Sequence, residues 1–184
     1  MPHLPSLPEG ANLGQAAALN PALFAALGEV SEQAMRGPSP FSPGERELIA
    51  AYVSALNGCA YCVGGHRATA EAFGIDASTL EALVADLDSA PVADRLKPVF
   101  RLARKLTETP SRVVAGDTEA VIAAGWGEDG ARDAILVAAL FAMLNRVVDG
   151  FGIEHDPQGA RDRARRFHDH GYRPGTPDGE EPGQ

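Results

Sequence analysis

The residues best suited to chemistry in this sequence lie in one short stretch, NGCAYCVGGH (57–66). It holds the only two cysteines of the 184-residue chain, Cys59 and Cys62, and His66 follows the second by four positions. Residues three apart on a helix have Cβ atoms about 5–6 Å apart, and a disulfide needs about 3.5–4.5 Å. A small local distortion would therefore let the two thiols form a disulfide that is readily reduced again.

The positions of these residues also predict which sulfur attacks first. If Cys59 opens a helix after Gly58, the helix dipole stabilises both thiolates, and the dipole alone favours Cys59. His66 lies one turn beyond Cys62 on the same face, so its imidazole can accept the proton of that thiol directly or through one water. A local base outweighs a dipole that acts on both sulfurs. We therefore predict Cys62 as the attacking cysteine and Cys59 as the resolving one.

Glu47 is the predicted third component of the site. It is the last charged side chain before a long uncharged stretch. In an antiparallel helical hairpin that turns at Gly58, Glu47 lies about 16 Å before the turn and His66 about 12 Å after it. Their similar height predicts a Glu–His–Cys proton relay. The alternative is that Glu47 is an ordinary first-turn acid, favoured by the helix dipole.

Helices must position this site, because apolar residues have helical spacing along most of the chain and no stretch has the period of a strand. Cap signals predict helices that begin at Asn20-Pro21 and at Ser42-Pro43, the second with a capping box to Glu45. That helix ends at Gly58, and a third runs from there to about residue 73. Further helices are predicted within 76–87 with Ser78 as cap, 92–110 with a kink at Pro98, 117–126, 128–148 and 158–169.

The fold class is therefore predicted as all-α, with one helical domain over residues 1–170 and a flexible tail over 171–184. The Pro, Gly and Glu content of the tail is typical of disorder. A shift of 86 residues places Arg46-Glu47 on Arg132-Asp133, which indicates an internal duplication unless two amphipathic helices match by chance.

Two stretches without charged side chains, 48–65 and 134–145, predict a homo-oligomer. Helices that are apolar on every side must be buried in the core or in a subunit interface. The alternative is a central hairpin that the rest of the chain covers well.

Composition excludes several classes of partner. A net charge of −9 and a pI near 5.0 argue against nucleic-acid and anionic-membrane surfaces. The one basic cluster, ARDRARRFH (160–168), is interpreted as a solvated helix face, with a binding patch as the alternative. We predict no signal peptide and no membrane span. A close cysteine pair suits redox or metal chemistry in a reducing compartment, so a cytoplasmic location is predicted.

Glu47, eleven further residues and then Cys59-Ala-Tyr-Cys62-Val-Gly-Gly-His66 resemble the core motif of the alkylhydroperoxidase AhpD-like family, within the carboxymuconolactone decarboxylase superfamily. The segment FAMLNRVVDG (141–150) is similar to one in the peroxidase-related branch of that family. The resemblance covers roughly residues 15–170.

This resemblance implies an AhpD-like helical bundle that forms homo-oligomers and reduces organic hydroperoxides or hydrogen peroxide. By motif position, Cys62 attacks the peroxide and becomes a sulfenic acid, and Cys59 condenses with it to a disulfide. Glu47 and His66 would relay protons. No bound cofactor is implied, and an external dithiol such as a lipoylated protein resets the pair. The decarboxylases of the superfamily work without this cysteine pair, so their reaction is disfavoured.

Tyr61 departs from the pattern, because the best-known alkylhydroperoxidases have a histidine just before the second cysteine. A phenol can donate a hydrogen bond but is a poor base near neutral pH. Asn145 and Arg146 are predicted to line or brace the site, with ordinary hydrogen bonding near a helix end as the alternative.

Two other functions remain open from the residues alone. Cys59, Cys62, His66 and Glu47 could hold a zinc ion, or the cysteine pair could serve a redox sensor that turns over poorly. The remaining histidines are interpreted as bystanders: His3 in the N-terminal segment, His155 in a loop, and His168 and His170 as solvated residues that could bind a metal only adventitiously.

Overall fold

The computed structural model describes residues 1–173, and within that range the chain folds into helices without strands. The α-helices are α1 Leu13–Ala17, α2 Pro21–Arg36, α3 Pro43–Asn57, α4 Ala60–Ala72, α5 Thr79–Ala85, α6 Lys97–Glu108, α7 Ala115–Val121, α8 Gly127–Phe151 and α9 Pro157–His170. Short 3-10 turns cover Asp94–Leu96 and Pro110–Arg112, and a π-helical turn covers Ile122–Trp126. The all-α prediction is confirmed.

The helices that carry the site begin and end at the predicted signals. Asn20 accepts a hydrogen bond from the Leu23 amide at the start of α2, at 3.2 Å. Ser42 and Glu45 form the capping box of α3, with N–O distances of 3.2 and 2.7 Å. Gly58 ends α3 with φ +76°, a left-handed conformation that glycine adopts at no steric cost. The chain therefore turns at once into α4.

Three local details differ from expectation. Pro98 lies in the first turn of α6, where a missing amide hydrogen costs nothing, so it starts this helix instead of kinking it. Ser78 makes no cap bond to α5, because its hydroxyl donates to Asp76. Cys59 is the N-cap of α4 and not a residue of its first turn.

Helix α3 is the centre of the core. Its middle is buried on every side, with Ile49, Tyr52 and Val53 completely inaccessible, and it packs against α4, α6 and α8. The uncharged stretch 48–65 is thus largely covered within one chain, as the central-hairpin alternative requires. The second uncharged stretch is covered on one side only, because Leu136 and Met143 of α8 are 53% and 42% exposed.

One helical run, Ala115–Phe151, is long and apolar enough by length and composition to cross a membrane, with a mean hydropathy of 1.7 in its most apolar window. The same composition is found in core helices. Here Val137, Ala138 and Phe141 of α8 are buried within the hydrophobic core.

The predicted boundary at residue 170 and the predicted duplication stay predictions. Most of the predicted tail, 174–184, lies outside the described residues. Its first residues are described, and Tyr172 is packed against Glu47 of α3. The segments compared in the duplication belong to α3 and α8, which pack against each other.

Candidate active site

The turn at Gly58 places the two sulfurs side by side at the start of α4. Cys59 is the N-cap and Cys62 is the third residue of the helix. Their Sγ atoms lie 2.7 Å apart, and both thiols are free. Cys59 is 0% exposed and Cys62 is 7% exposed. A small movement would bring the sulfurs to the bonded distance of about 2.05 Å.

The hydrogen bond between the thiols distinguishes the two cysteines. Cys59 donates to the sulfur of Cys62, which raises the pKa of Cys59, and burial raises that pKa further. The same hydrogen bond lowers the pKa of Cys62 against the opposing effect of burial, and a second bond from Asn145 adds to the lowering. Of the two thiols, Cys62 is therefore the one that loses its proton more readily.

Glu47 and His66 meet across the α3–α4 hairpin. The imidazole Nδ1 lies 2.8 Å from the Glu47 Oε2 atom, and Glu47 is completely buried. Complete burial distinguishes this carboxylate from a first-turn acid at the surface. A carboxylate hydrogen-bonded to Nδ1 fixes the orientation of the ring.

Two residues that sequence reasoning missed complete the surroundings of Glu47. Arg36, the last residue of α2, donates from Nη2 to Glu47 Oε1 at 2.7 Å and to the Phe167 carbonyl at 3.0 Å. The Tyr172 hydroxyl lies 2.8 and 3.0 Å from the two Glu47 oxygens and 3.3 Å from His66 Nδ1. Neither residue is near the motif in the sequence, so no local spacing could have indicated them.

These partners set the charge of the buried group. Burial alone raises the pKa of Glu47, but the hydrogen bond and charge of His66, together with the Arg36 guanidinium, lower it below its ordinary value. Burial and the negative charge of Glu47 raise the pKa of Tyr172 well above its usual range. The site therefore holds an ionised carboxylate beside a protonated phenol.

An apolar cavity of about 190 Å³ lies between α2, α4, α8 and α9 and gives access to this site. Cys62 and His66, one turn apart on α4, both line it. Phe141 of α8 packs edge-on against the imidazole, with 4.2 Å between ring centroids. A small molecule in this cavity would contact the sulfur and the imidazole together.

The other predicted site residues have different positions. Tyr61 lines the cavity under the Arg163 guanidinium, which lies 4.1 Å from the ring centroid, and burial raises its pKa while Arg163 opposes the rise. Asn145 is buried and donates to the Ser54 hydroxyl at 3.0 Å, and its side-chain hydrogen bond also lowers the pKa of Cys62. Arg146 is exposed and donates to a carbonyl of its own helix, and the structure does not bring it to the site.

The basic cluster is only partly a solvated face. Ala160 and Ala164 bury one side of α9, which packs on α4, and this packing turns Arg163 and Arg166 toward the cavity. His155, His168 and His170 are exposed. In the part of the chain that the structure describes, no group of three or more His, Cys, Asp or Glu side chains is arranged to hold a metal ion.

Comparison with known protein families gives a match, which covers part of the chain. Residues 21–105, a range that includes Glu47, both cysteines and His66, match the model of the Carboxymuconolactone decarboxylase family. No curated protein matches the chain.

Solved structures share the fold. An uncharacterized peroxidase-related protein from Silicibacter sp. TM1040 is 28% identical with a TM-score of 0.74, over 79% of this chain and 76% of that one. An uncharacterized peroxidase-related protein from Ralstonia eutropha JMP134, described as an alkylhydroperoxidase AhpD core, is 24% identical with a TM-score of 0.75, over 82% and 80%. A protein of unknown function from Agrobacterium tumefaciens, named as a candidate antioxidant defence protein AhpD, is 20% identical with a TM-score of 0.64, over 77% and 95%. Residues 21–105 are therefore similar to the carboxymuconolactone decarboxylase family, and the helices of the chain share the fold of AhpD-like peroxidase-related proteins.

Proposed function

We propose that this chain is a thiol-dependent peroxidase that reduces organic hydroperoxides or hydrogen peroxide. One observation carries the proposal: Cys59 donates a hydrogen bond to Cys62, while Cys62 and the Glu47-bound His66 line the same apolar cavity. The arrangement supplies a nucleophile, a resolving thiol and a proton carrier around one binding space. The names of the similar solved proteins agree with this class of activity.

In the first proposed step, His66 accepts the proton of Cys62. The thiolate attacks one oxygen of the hydroperoxide, so an S–O bond forms as the O–O bond breaks. The alkoxide leaves and takes the proton back from the imidazolium, giving the alcohol and a sulfenic acid on Cys62.

In the second step, the Cys59 sulfur attacks the Cys62 sulfur. The S–O bond breaks, and hydroxide leaves with the Cys59 proton as water, giving the disulfide. An external dithiol then reduces the disulfide and is itself oxidised. The balance is one hydroperoxide and one dithiol consumed for one alcohol, one water and one external disulfide.

Glu47 acts on this chemistry through His66 and not on the peroxide. Its negative charge stabilises the imidazolium that exists between the two proton transfers. Arg36 and Tyr172 are positioning residues, because both hold the carboxylate and neither needs to exchange a proton.

The burial of the cysteine pair limits the size of the reductant that can reach it. Cys59 is inaccessible and Cys62 is reached through the cavity, so a bulky protein thiol could not reach the disulfide. A dithiol on a slender arm, such as the lipoyl group of a lipoylated protein, fits this access. We further propose a cytoplasmic homo-oligomer, and the exposed Leu136 and Met143 of α8 support self-association.

Peroxide consumption tests the proposal, with dithiothreitol or dihydrolipoamide as reductant. We expect Cys62→Ser to abolish consumption. We expect Cys59→Ser to stop turnover but to leave a sulfenic acid on Cys62 that dimedone traps, and His66→Ala to lower the rate.

The same measurement separates the rival functions. Full activity of Cys62→Ser with loss in Cys59→Ser would reverse the assigned roles. A redox sensor would consume about one equivalent of peroxide and then stop, even with excess dithiol. Stoichiometric bound zinc with thiols that do not react with peroxide would replace the peroxidase by a zinc protein.

A further inference from the structure

A second, outer depression leads to the cavity that holds Cys62. This entrance groove, about 810 Å³ in volume, lies between α1, α2 and α9. The two spaces share much of their lining, so they are continuous. The shared residues include Leu13, Phe24, Tyr61, Arg163, Arg166 and Phe167. A ligand in the groove thus reaches Cys62 through apolar walls and passes two arginines.

These two arginines lack an acidic partner within residues 1–173. Arg163 is half-buried, lies over the Tyr61 ring, and has a buried Nη2 atom with no hydrogen-bond partner there. Arg166 lies 4.9 Å from the Phe167 ring centroid and forms no ion pair with the described carboxylates. A buried guanidinium nitrogen without an acceptor is uncommon in folded proteins and needs an explanation.

The neighbouring arginines of α9, unlike Arg163 and Arg166, have polar partners on their own helix. Arg165 pairs with Asp162, and Arg161 donates to Gln158 at 2.8 Å. Among residues 1–173, Asp156 is the one acid that lines the groove. It is already used as the N-cap of α9, where it accepts from the Gln158 and Gly159 amides at 3.0 and 2.9 Å. On a chain of net charge −9, the entrance groove is a local positive site.

We propose that Arg163 and Arg166 bind the carboxylate of the substrate, which is a hydroperoxide of an amphipathic, fatty-acid-like carboxylic acid. This inference rests on the proposed peroxidase function and specifies its substrate class. The planar guanidinium matches a carboxylate with two parallel hydrogen bonds. The apolar chain gains by leaving water for the inner cavity, and its O–O group reaches Cys62. The carboxylate takes no part in the reaction.

The kinetic test compares the hydroperoxide of linoleic acid with that of its methyl ester, with uncharged dithiothreitol as reductant. We expect the unmodified protein to prefer the acid by at least about tenfold in kcat/KM, the effect of one good charge-assisted hydrogen-bonded contact. The double variant Arg163→Gln/Arg166→Gln should treat acid and ester alike. The matched control Arg161→Gln/Arg165→Gln removes the same charge from the exposed side of α9 and should keep the preference.

The ratio of acid to ester is the decisive quantity. The positive charge of Arg163 also lowers the pKa of Cys62, so its removal slows the attack on any peroxide. That effect is common to acid and ester and cancels in the ratio. Equal rates for acid and ester in the unmodified protein, or an equal loss of preference in the control, would overturn the proposal.

A binding measurement separates this inference from the peroxidase function. Titration calorimetry with decanoate needs no turnover. We expect decanoate to bind the unmodified protein and the control at least about tenfold more tightly than the Arg163→Gln/Arg166→Gln variant. Decanoate binding without peroxide consumption would refute the peroxidase and keep the carboxylate site. Peroxide consumption without decanoate binding or acid preference would keep the peroxidase and refute the carboxylate site.

Discussion

The Tyr172 hydroxyl offers a test of how the buried carboxylate is held. Its single O–H faces both Glu47 oxygens, at 2.8 and 3.0 Å, and one proton can satisfy only one hydrogen bond at a time. Hydrogen bonds to a charged acceptor stabilise a folded protein by about 1.5–3 kcal/mol. We therefore expect Tyr172→Phe, which removes only this oxygen, to lower the free energy of unfolding by that amount at pH 7.

Tyr52 supplies the matched control. It is also a buried tyrosine, but its hydroxyl has no hydrogen-bond partner among the residues that the structure describes. Tyr52→Phe removes an unsatisfied buried oxygen, so its free energy of unfolding should be unchanged or slightly higher. Urea denaturation followed by circular dichroism gives both values, with equal m-values as the check on a common unfolded state. Equal losses in the two variants, or a loss below about 0.5 kcal/mol for Tyr172→Phe, would refute the assigned role.

Three further predictions concern the cysteine pair, the buried carboxylate and the exposed face of α8. Cys59→Ala removes the donor that lowers the pKa of Cys62, so alkylation of Cys62 by iodoacetamide should shift to higher pH; an unchanged midpoint would contradict the assigned hydrogen bond. The lowered pKa of Glu47 stabilises the fold above its unfolded value of about 4.3, and this stability is lost as pH falls through the native pKa. Glu47→Gln should therefore lower the free energy of unfolding by about 3–5 kcal/mol at pH 7, and the stability of this variant should depend less on pH in the acid range. The same pH dependence of stability in the variant and in the unmodified protein would disprove the prediction. Leu136→Glu/Met143→Glu should reduce the mass measured by light scattering if α8 forms the proposed subunit contact, and an unchanged oligomer would exclude that face.

Local signals account for what the sequence predicted of the α3–α4 hairpin. The capping box at Ser42 and the left-handed Gly58 fix where α3 begins and ends, and helix geometry then sets the heights of Glu47 and His66. These features depend on residues a few positions apart. Such spacing can be recognised without any knowledge of the rest of the fold.

Arg36 and Tyr172 could not be predicted in this way. They lie 11 and 125 positions from Glu47 and reach it only because α2 and the segment after α9 pack beside α3. The spacing within α9 did not predict the inward position of Arg163 either, because this residue belongs to a run of charges that is typical of a solvated face. Its inward position follows from Ala160 and Ala164, whose small side chains let α9 approach α4 closely.

Arg36 and Tyr172, which the sequence did not predict, explain how Glu47 can be buried as a charged group beside His66. A carboxylate buried as deeply as Glu47 would be very unfavourable if its only counter-charge were His66, because each loss of the imidazole proton would leave it uncompensated. The Arg36 guanidinium keeps its charge throughout and lies on the other carboxylate oxygen, while the Tyr172 hydroxyl lies within hydrogen-bond distance of both oxygens and donates to one of them at a time. The contacts with Arg36 and Tyr172 therefore stabilise the ionised Glu47 in addition to its contact with His66. The imidazole is then free to accept a proton and release it again, as the turnover proposed for the cysteine pair requires.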